Sequence, residues 1–136
     1  MNSFVLFALD DRSYALPSAE VVELSRAGQL QKFPHTSPDL EGVLIHRGSV
    51  IPVWNVARRL AAPVGATKKF FLLSHRNFAA EERTAIPVST EGQMLRSEMQ
   101  PPPAGAPAHV CGVLDFEGRR VEVLDLERLE TERARP

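Results

Sequence analysis

The chain has 136 residues, 43 % apolar and 24 % charged, with a formal net charge of −1 and a pI near 6.4. That length supports one core but hardly two independent ones, and a near-neutral, interspersed charge lacks the basic face that nucleic acid demands. A single cysteine, Cys111, excludes a disulfide staple, and without a C-x-x-C there is no thiolate pair for metal or redox work.

Phe4–Leu9 is apolar and meets the polar turn Asp10-Asp11-Arg12-Ser13 before Tyr14-Ala15-Leu16-Pro17, the pattern of an opening β-hairpin. The apolar run lacks a basic flank and stops after six residues, too short for a signal peptide or a membrane span. The expectation is a cytoplasmic protein with no membrane insertion, and the lone cysteine fits a reducing compartment. Val21-Val22-Glu23-Leu24 predicts a third short strand ending near Gly28. Pro34 and Pro38 make 33–38 a loop. Ser37 before Pro38-Asp39-Leu40-Glu41 predicts one helical turn, with a serine cap, proline at the first position and carboxylates at the positive dipole end.

Gly42 ends that turn, and a strand to His46, a turn at Gly48 and a strand over Val50–Val56 follow. Val50, Trp54 and Val56 alternate with Ile51 and Val53, so this strand reads as buried on both faces. Pro52 has no N–H to donate and belongs at a bulge or an edge. After a linker over 63–67, Lys69–Ser74 restarts the pattern of Phe4, and Ala85-Ile86-Pro87-Val88 answers Tyr14-Ala15-Leu16-Pro17. Pro101–Pro107 is a stiff exposed loop of polyproline character. The charged tail beyond Leu129, residues 130–136, frays.

The segment 42–56 is repeated without a gap at 112–126, seventy positions on. Five of the fifteen columns are identical: Gly42/Gly112, Val43/Val113, Leu44/Leu114, Gly48/Gly118 and Val53/Val123. Asn55 and Asp125 both precede a short helical segment, and a side-chain cap explains both. Two copies of one supersecondary unit, many short strands and dense Pro/Gly punctuation argue for a mostly β fold, a pair of small barrels.

The sequence carries no catalytic signature. There is no G-x-S-x-G, and Ser49 sits in the turn context Arg-Gly-Ser-Val. His35, His46, His75 and His109 are scattered, with no helical i, i+4 pair for zinc. Cys111 reads as a small buried hydrophobe, and Asp10-Asp11 and Glu81-Glu82 lie in polar turns, where burial cannot raise a pKa. No enzymatic activity, cofactor or metal is expected.

The ordered set Phe4–Phe7, Tyr14–Pro17, Val21-Val22-Glu23, Pro38–Gly42, Arg47-Gly48, Ile51-Pro52-Val53, Gly112-Val113 and Leu124-Asp125-Leu126 resembles the CheW-like adaptor family of bacterial chemosensory systems. Gly42, Arg47, Gly48, Pro52 and Val53 keep its central signature, whereas Ile45, His46 and Asn55 stand where it has Asn, Leu and Asp. The resemblance implies two intertwined five-stranded, SH3-like β-barrels with short helices. The resemblance runs from Phe4 to about Leu129 and implies a single domain over 1–136, with interlocked halves near 15–66 plus C-terminal elements and 67–129. It further implies a non-catalytic adaptor joining the cytoplasmic tip of methyl-accepting chemoreceptors to the regulatory domain of a CheA-type histidine kinase. Partner binding would fall to Arg47 paired with Glu23, and to Val21, Gly48 and His46. The departures leave room for an adaptor that binds one partner only, in a system governing pili or gliding. A small β-barrel ligand binder is the remote alternative.

Overall fold

In the computed structural model, eleven strands follow one another among the described residues. They are β1 (Asn2–Leu9), β2 (Arg12–Pro17), β3 (Val21–Arg26), β4 (Leu30–Gln31), β5 (Leu40–His46), β6 (Ser49–Trp54), β7 (Phe70–His75), β8 (Arg83–Val88), β9 (Gln93–Ser97), β10 (Val110–Phe116) and β11 (Arg119–Leu124). A 3₁₀ turn, Ser18–Glu20, joins β2 to β3. Residues 2–9, 12–26, 30–31, 40–54, 60, 70–75, 83–89, 92–126 and 128–129 are described, at some positions by the backbone alone.

The repeated segments become matching hairpins, β5–β6 and β10–β11. Each is closed by a two-residue turn with positive φ at both positions: Arg47 (51°) with Gly48 (80°), and Glu117 (49°) with Gly118 (78°). Such turns match the right-handed twist of the strands they join. Each hairpin also breaks register at the same place, between Leu40 and Gly42 and between Val110 and Gly112. Position 112 requires glycine because of close approach: a Cβ there would strike the Met99 side chain and lie 2.8 Å from the Gln100 carbonyl oxygen. Gln100 exchanges backbone hydrogen bonds with Val113, at 2.9 and 3.0 Å.

The strands divide into a five-stranded sheet, β10-β11-β2-β1-β9, and a six-stranded one, β3-β7-β8-β6-β5-β4. Adding seventy to each residue number relates them. Val123 of β11 lies parallel to Ala15 of β2, and Val53 of β6 lies parallel to Ala85 of β8. The outer strands correspond as elements without that exact spacing: β9 pairs with β1, with Gln93 facing Leu6, and β3 pairs with β7, with Glu23 facing Leu73. Each sheet therefore takes strands from both halves of the chain. The sixth strand is the two-residue β4, whose counterpart is the single Gln100–Val113 bridge.

Three apolar clusters follow from this arrangement. Phe4, Leu6, Ala15, Leu114, Val121 and Val123 fill the first sheet. Leu44, Ile51, Val53 and Ala85 occupy the equivalent places in the second. A third cluster, with Phe7, Leu9, Tyr14, Leu16, Ile86, Val88, Leu124 and Leu129, lies between the sheets. Alternation along β1 sends Phe4 and Leu6 into the first sheet's core and Phe7 and Leu9 into the shared one. A strand placed between two cores is buried on both faces, as the burial of every side chain from Thr84 to Val88 shows.

Three expectations need correction. Val50 is 65 % exposed, so β6 is not buried on both faces along its length; only Ile51, Val53 and, in part, Trp54 turn inward. Leu40 and Glu41 belong to β5, with Leu40 opposite Trp54, because hairpin pairing overrides the local helical signal there. The Ser37 cap and the capping of Asn55 lie outside the described residues. Pro52 sits within β6, opposite Val43, neither at an edge nor at the register break. Counting from the closing pair His46–Ser49, it falls at a non-hydrogen-bonded pair, where its nitrogen faces away from β5.

Val53 and Val123 are fully buried at equivalent positions. Replacing either with Asp sets an unpaired carboxylate in an apolar cluster, at a cost of several kcal/mol against a total of about 5–15. Both variants should lose the cooperative thermal transition, and a wild-type melting curve from either contradicts this core assignment. Asp125 caps the short C-terminal helix, its Oδ1 accepting from the Arg128 N–H at 3.1 Å. Asp125→Ala should cost about 1 kcal/mol, read as a fall of a few degrees in Tm.

Candidate functional site

The residues singled out from the sequence lie on the six-stranded sheet. β6 runs parallel to β8, β8 antiparallel to β7, and β7 antiparallel to β3. The starts of β3 and β6 therefore point to the same end of the sheet. Val21 opens β3 there, opposite Ser74, and its half-buried side chain packs against the shared core. Glu23 follows after a register break, opposite Leu73. Arg47 and Gly48 form the exposed turn before β6, with His46 in the closing pair against Ser49; the register through β7 and β8 sets Glu23 level with Val53, four residues beyond Ser49. The side chains of Glu23 and His46, and with them the Glu23–Arg47 ion pair, lie outside the described residues.

Arg47 adopts a left-handed backbone that costs an ordinary side chain about 1–2 kcal/mol and that Gly or Asn occupies more readily. Strain of this kind can mark a functional residue. Glu117, at the same place in the second hairpin, carries the same φ, so the strain belongs to the turn and does not single out Arg47. What distinguishes the two turns is charge: a guanidinium, permanently cationic and forked, crowns the first, and a carboxylate crowns the second.

The faces beside the turns differ as well. Ile45 (58 % exposed) stands directly opposite Val50 on β5–β6. At the equivalent pair on β10–β11 stand Asp115 and Arg120, both exposed. Sequence reasoning named Ile45 only as a departure from the family pattern, and assigned Val50 to the interior. The signal that would have found the pair is the register itself, since a two-residue turn at 47–48 sets 45 against 50.

Among the described residues, two shallow grooves lie on the five-stranded sheet. One, of about 440 Å³, opens where β2 and β11 diverge and is lined by Arg12, Ser13, Tyr14 and Arg119–Glu122. The other, of about 400 Å³, is lined by Gln100, Pro101, Pro103, Val113, Asp115 and Arg120. Neither brings a nucleophile to a base. Among the described residues no group of three or more His, Cys, Asp or Glu side chains could hold a metal ion.

Cys111 is half-buried, and its Sγ donates to the Val123 carbonyl at 3.5 Å. Burial, followed by the nearby Asp125 carboxylate, pushes its thiol above the ordinary value of 9.0. The unfolded chain therefore ionises first as pH rises, and stability falls above about pH 9. The thiolate is the reactive form, so iodoacetamide should alkylate Cys111 in the folded protein more slowly than in urea at pH 8. Equal rates contradict this environment.

Comparison with known proteins agrees with this architecture. The family model for the CheW-like domain matches residues 3–77. Protein FrzA of Myxococcus xanthus is 30 % identical over 136 residues, covering 94 % of this chain and 84 % of that protein. The crystal structure of the scaffolding protein TtCheW from Thermoanaerobacter tengcongensis superposes with a TM-score of 0.82 at 20 % identity. That match covers 94 % of this chain and 86 % of the other, and it shows a common fold. With a family model spanning more than half its length and a relative matched almost end to end, the chain belongs to the CheW-like domain family.

Proposed function

We propose that the protein is a non-catalytic adaptor of a bacterial chemosensory array, joining the cytoplasmic tip of a chemoreceptor to the regulatory domain of a CheA-type histidine kinase. Family membership supports the role, and the observation that favours this site is the exposed Arg47-Gly48 turn that closes β5–β6. Arg47 and Glu23 would anchor the partner, with Val21, Gly48 and His46 forming the surround. A guanidinium on a closed hairpin offers a carboxylate a fixed, bidentate partner. The whole chain, 1–136, would act as one domain in the cytoplasm. Among the described residues no helix is long and apolar enough to cross a membrane.

A second reading rests on Ile45, His46 and Asn55, the departures from the family signature. On this reading the adaptor keeps one of the two partners and modulates an array in a specialised system governing pili or gliding.

The test is a titration of the full chain with the receptor's cytoplasmic fragment and, separately, with the kinase regulatory domain. Arg47→Ala should weaken binding to at least one of them about tenfold, as interface arginines often do. Its Tm should stay within a few degrees of wild type, because exposed ion pairs contribute little to stability. Wild-type protein that binds neither partner contradicts the adaptor role. Binding of the receptor alone supports the second reading over the first.

A further inference from the structure

We infer that Pro101, Pro103 and Arg120 form a docking site for an aromatic side chain of a partner protein, flanked on that partner by a carboxylate. The inference stands apart from the adaptor reading, because it rests on the shallow groove of about 400 Å³ between the proline segment and β10–β11. Gln100, Pro101 and Pro103 line that groove from the loop, and Val113, Asp115 and Arg120 line it from the two strands.

The segment is fixed before anything binds. Each proline ring locks its own φ, and Gln100, Pro101 and Pro102, each preceding a proline, are held extended. The result is a polyproline II turn with little conformational freedom left to lose. Its ends are tied as well. Gln100 exchanges two backbone hydrogen bonds with Val113, and the Pro103 carbonyl accepts from the Ala106 N–H at 3.1 Å, in a turn that holds Gly105 at φ 84°. All three prolines are exposed. The other half of the chain supplies the control. Gln31 faces Val43 there as Gln100 faces Val113, and the residues that follow it are Lys32, Phe33 and Pro34. The pairing therefore does not demand three prolines in a row.

The lining selects the occupant. Proline rings held in a polyproline II turn pack on aromatic rings, which is how aromatic-lined grooves take proline-rich segments. Arg120 brings to the same groove a guanidinium that stacks on an aromatic face and takes a carboxylate in a bidentate fork. It stands opposite Asp115 on β10, yet among the described residues no ion pair engages it. An aliphatic side chain would satisfy the prolines and leave the guanidinium without a partner as the groove loses its water. An aromatic ring with a carboxylate beside it satisfies both. A second copy of this chain does not supply that ring, because its aromatic side chains among the described residues are buried or half-buried. The occupant is a different protein.

The test is an NMR titration of the full chain, following backbone amides and the Arg120 Nε–H. The probe is a short peptide, blocked at both ends, with tryptophan between two glutamates. Two control peptides put leucine in place of the tryptophan, or lysines in place of the glutamates. The expected result is saturable shifts at Val113, Asp115 and Arg120 with the first peptide, and binding about tenfold weaker with either control. Replacing Pro101 and Pro103 together with Ala should weaken the first peptide about tenfold, and Arg120→Gln should abolish its advantage over the lysine peptide. Both variants should keep the wild-type Tm within a few degrees, because the replaced side chains are exposed. Absence of saturable shifts, shifts confined to residues outside the groove, or equal binding of the leucine peptide overturns the site. Undiminished binding by the double proline variant overturns it too, and equal binding of the lysine peptide overturns the Arg120 contact. None of these outcomes bears on the adaptor reading, which is tested with the receptor and kinase fragments.

Discussion

Two short parallel contacts, Val123 beside Ala15 and Val53 beside Ala85, join the first half of the chain to the second. All four residues are fully buried. The antiparallel hairpins on either side are local and can form from neighbouring sequence. These two contacts cannot, since each brings together residues from opposite halves. Alanine at both 15 and 85 suits such a place, where a larger side chain would overfill the sheet's own cluster and force its neighbours off their rotamers. The outer pairings, β9 on β1 and β3 on β7, exchange strands between halves in the same way. Neither half completes a core by itself, because Ala15 serves a cluster otherwise built from β1, β10 and β11, and Ala85 serves one built from β5 and β6.

This interlock lets a repeat become something other than a symmetric object. Buried positions are tied to one another across the halves and stay alike: Leu44 with Leu114, Ile51 with Val121, Val53 with Val123. Exposed positions carry no such constraint. The turns hold Arg47 in one copy and Glu117 in the other, and the faces beside them hold Ile45–Val50 and Asp115–Arg120. One backbone thus presents two unlike surfaces on a shared core. The adaptor role proposed above would use such unlike surfaces.

Much of this was legible in the sequence, for identifiable reasons. Gly48 and Gly118 marked the turns, and the ungapped spacing fixed the equivalence of everything between Gly42 and Leu126. Identity of turn and strand follows from local chemistry. Which strand lies beside which does not: alternation tells a residue its face and is silent about its neighbour. The crossing of β6 to β8 and of β11 to β2 was therefore invisible without the fold. The same silence explains Val50, whose apolar character looked like burial. Along β2 and β8, two-sided apolarity does mean two cores, whereas at the β5–β6 tip one side faces water. For the site, Arg47 and Gly48 were found by pattern, and the exposed Ile45–Val50 pair needed the register of the hairpin.

The interlock has a direct measure in native-state hydrogen exchange. Amides of Ala15 and Val123 report one cross-half contact, and those of Val53 and Ala85 report the other. If the two sheets stand or fall together, these four amides should exchange with a single free energy of opening, equal to that of global unfolding, and with the same dependence on denaturant. Exchange of Val53 and Ala85 through a separate opening markedly less costly than that of Ala15 and Val123 would contradict the account, leaving two sheets that unfold independently.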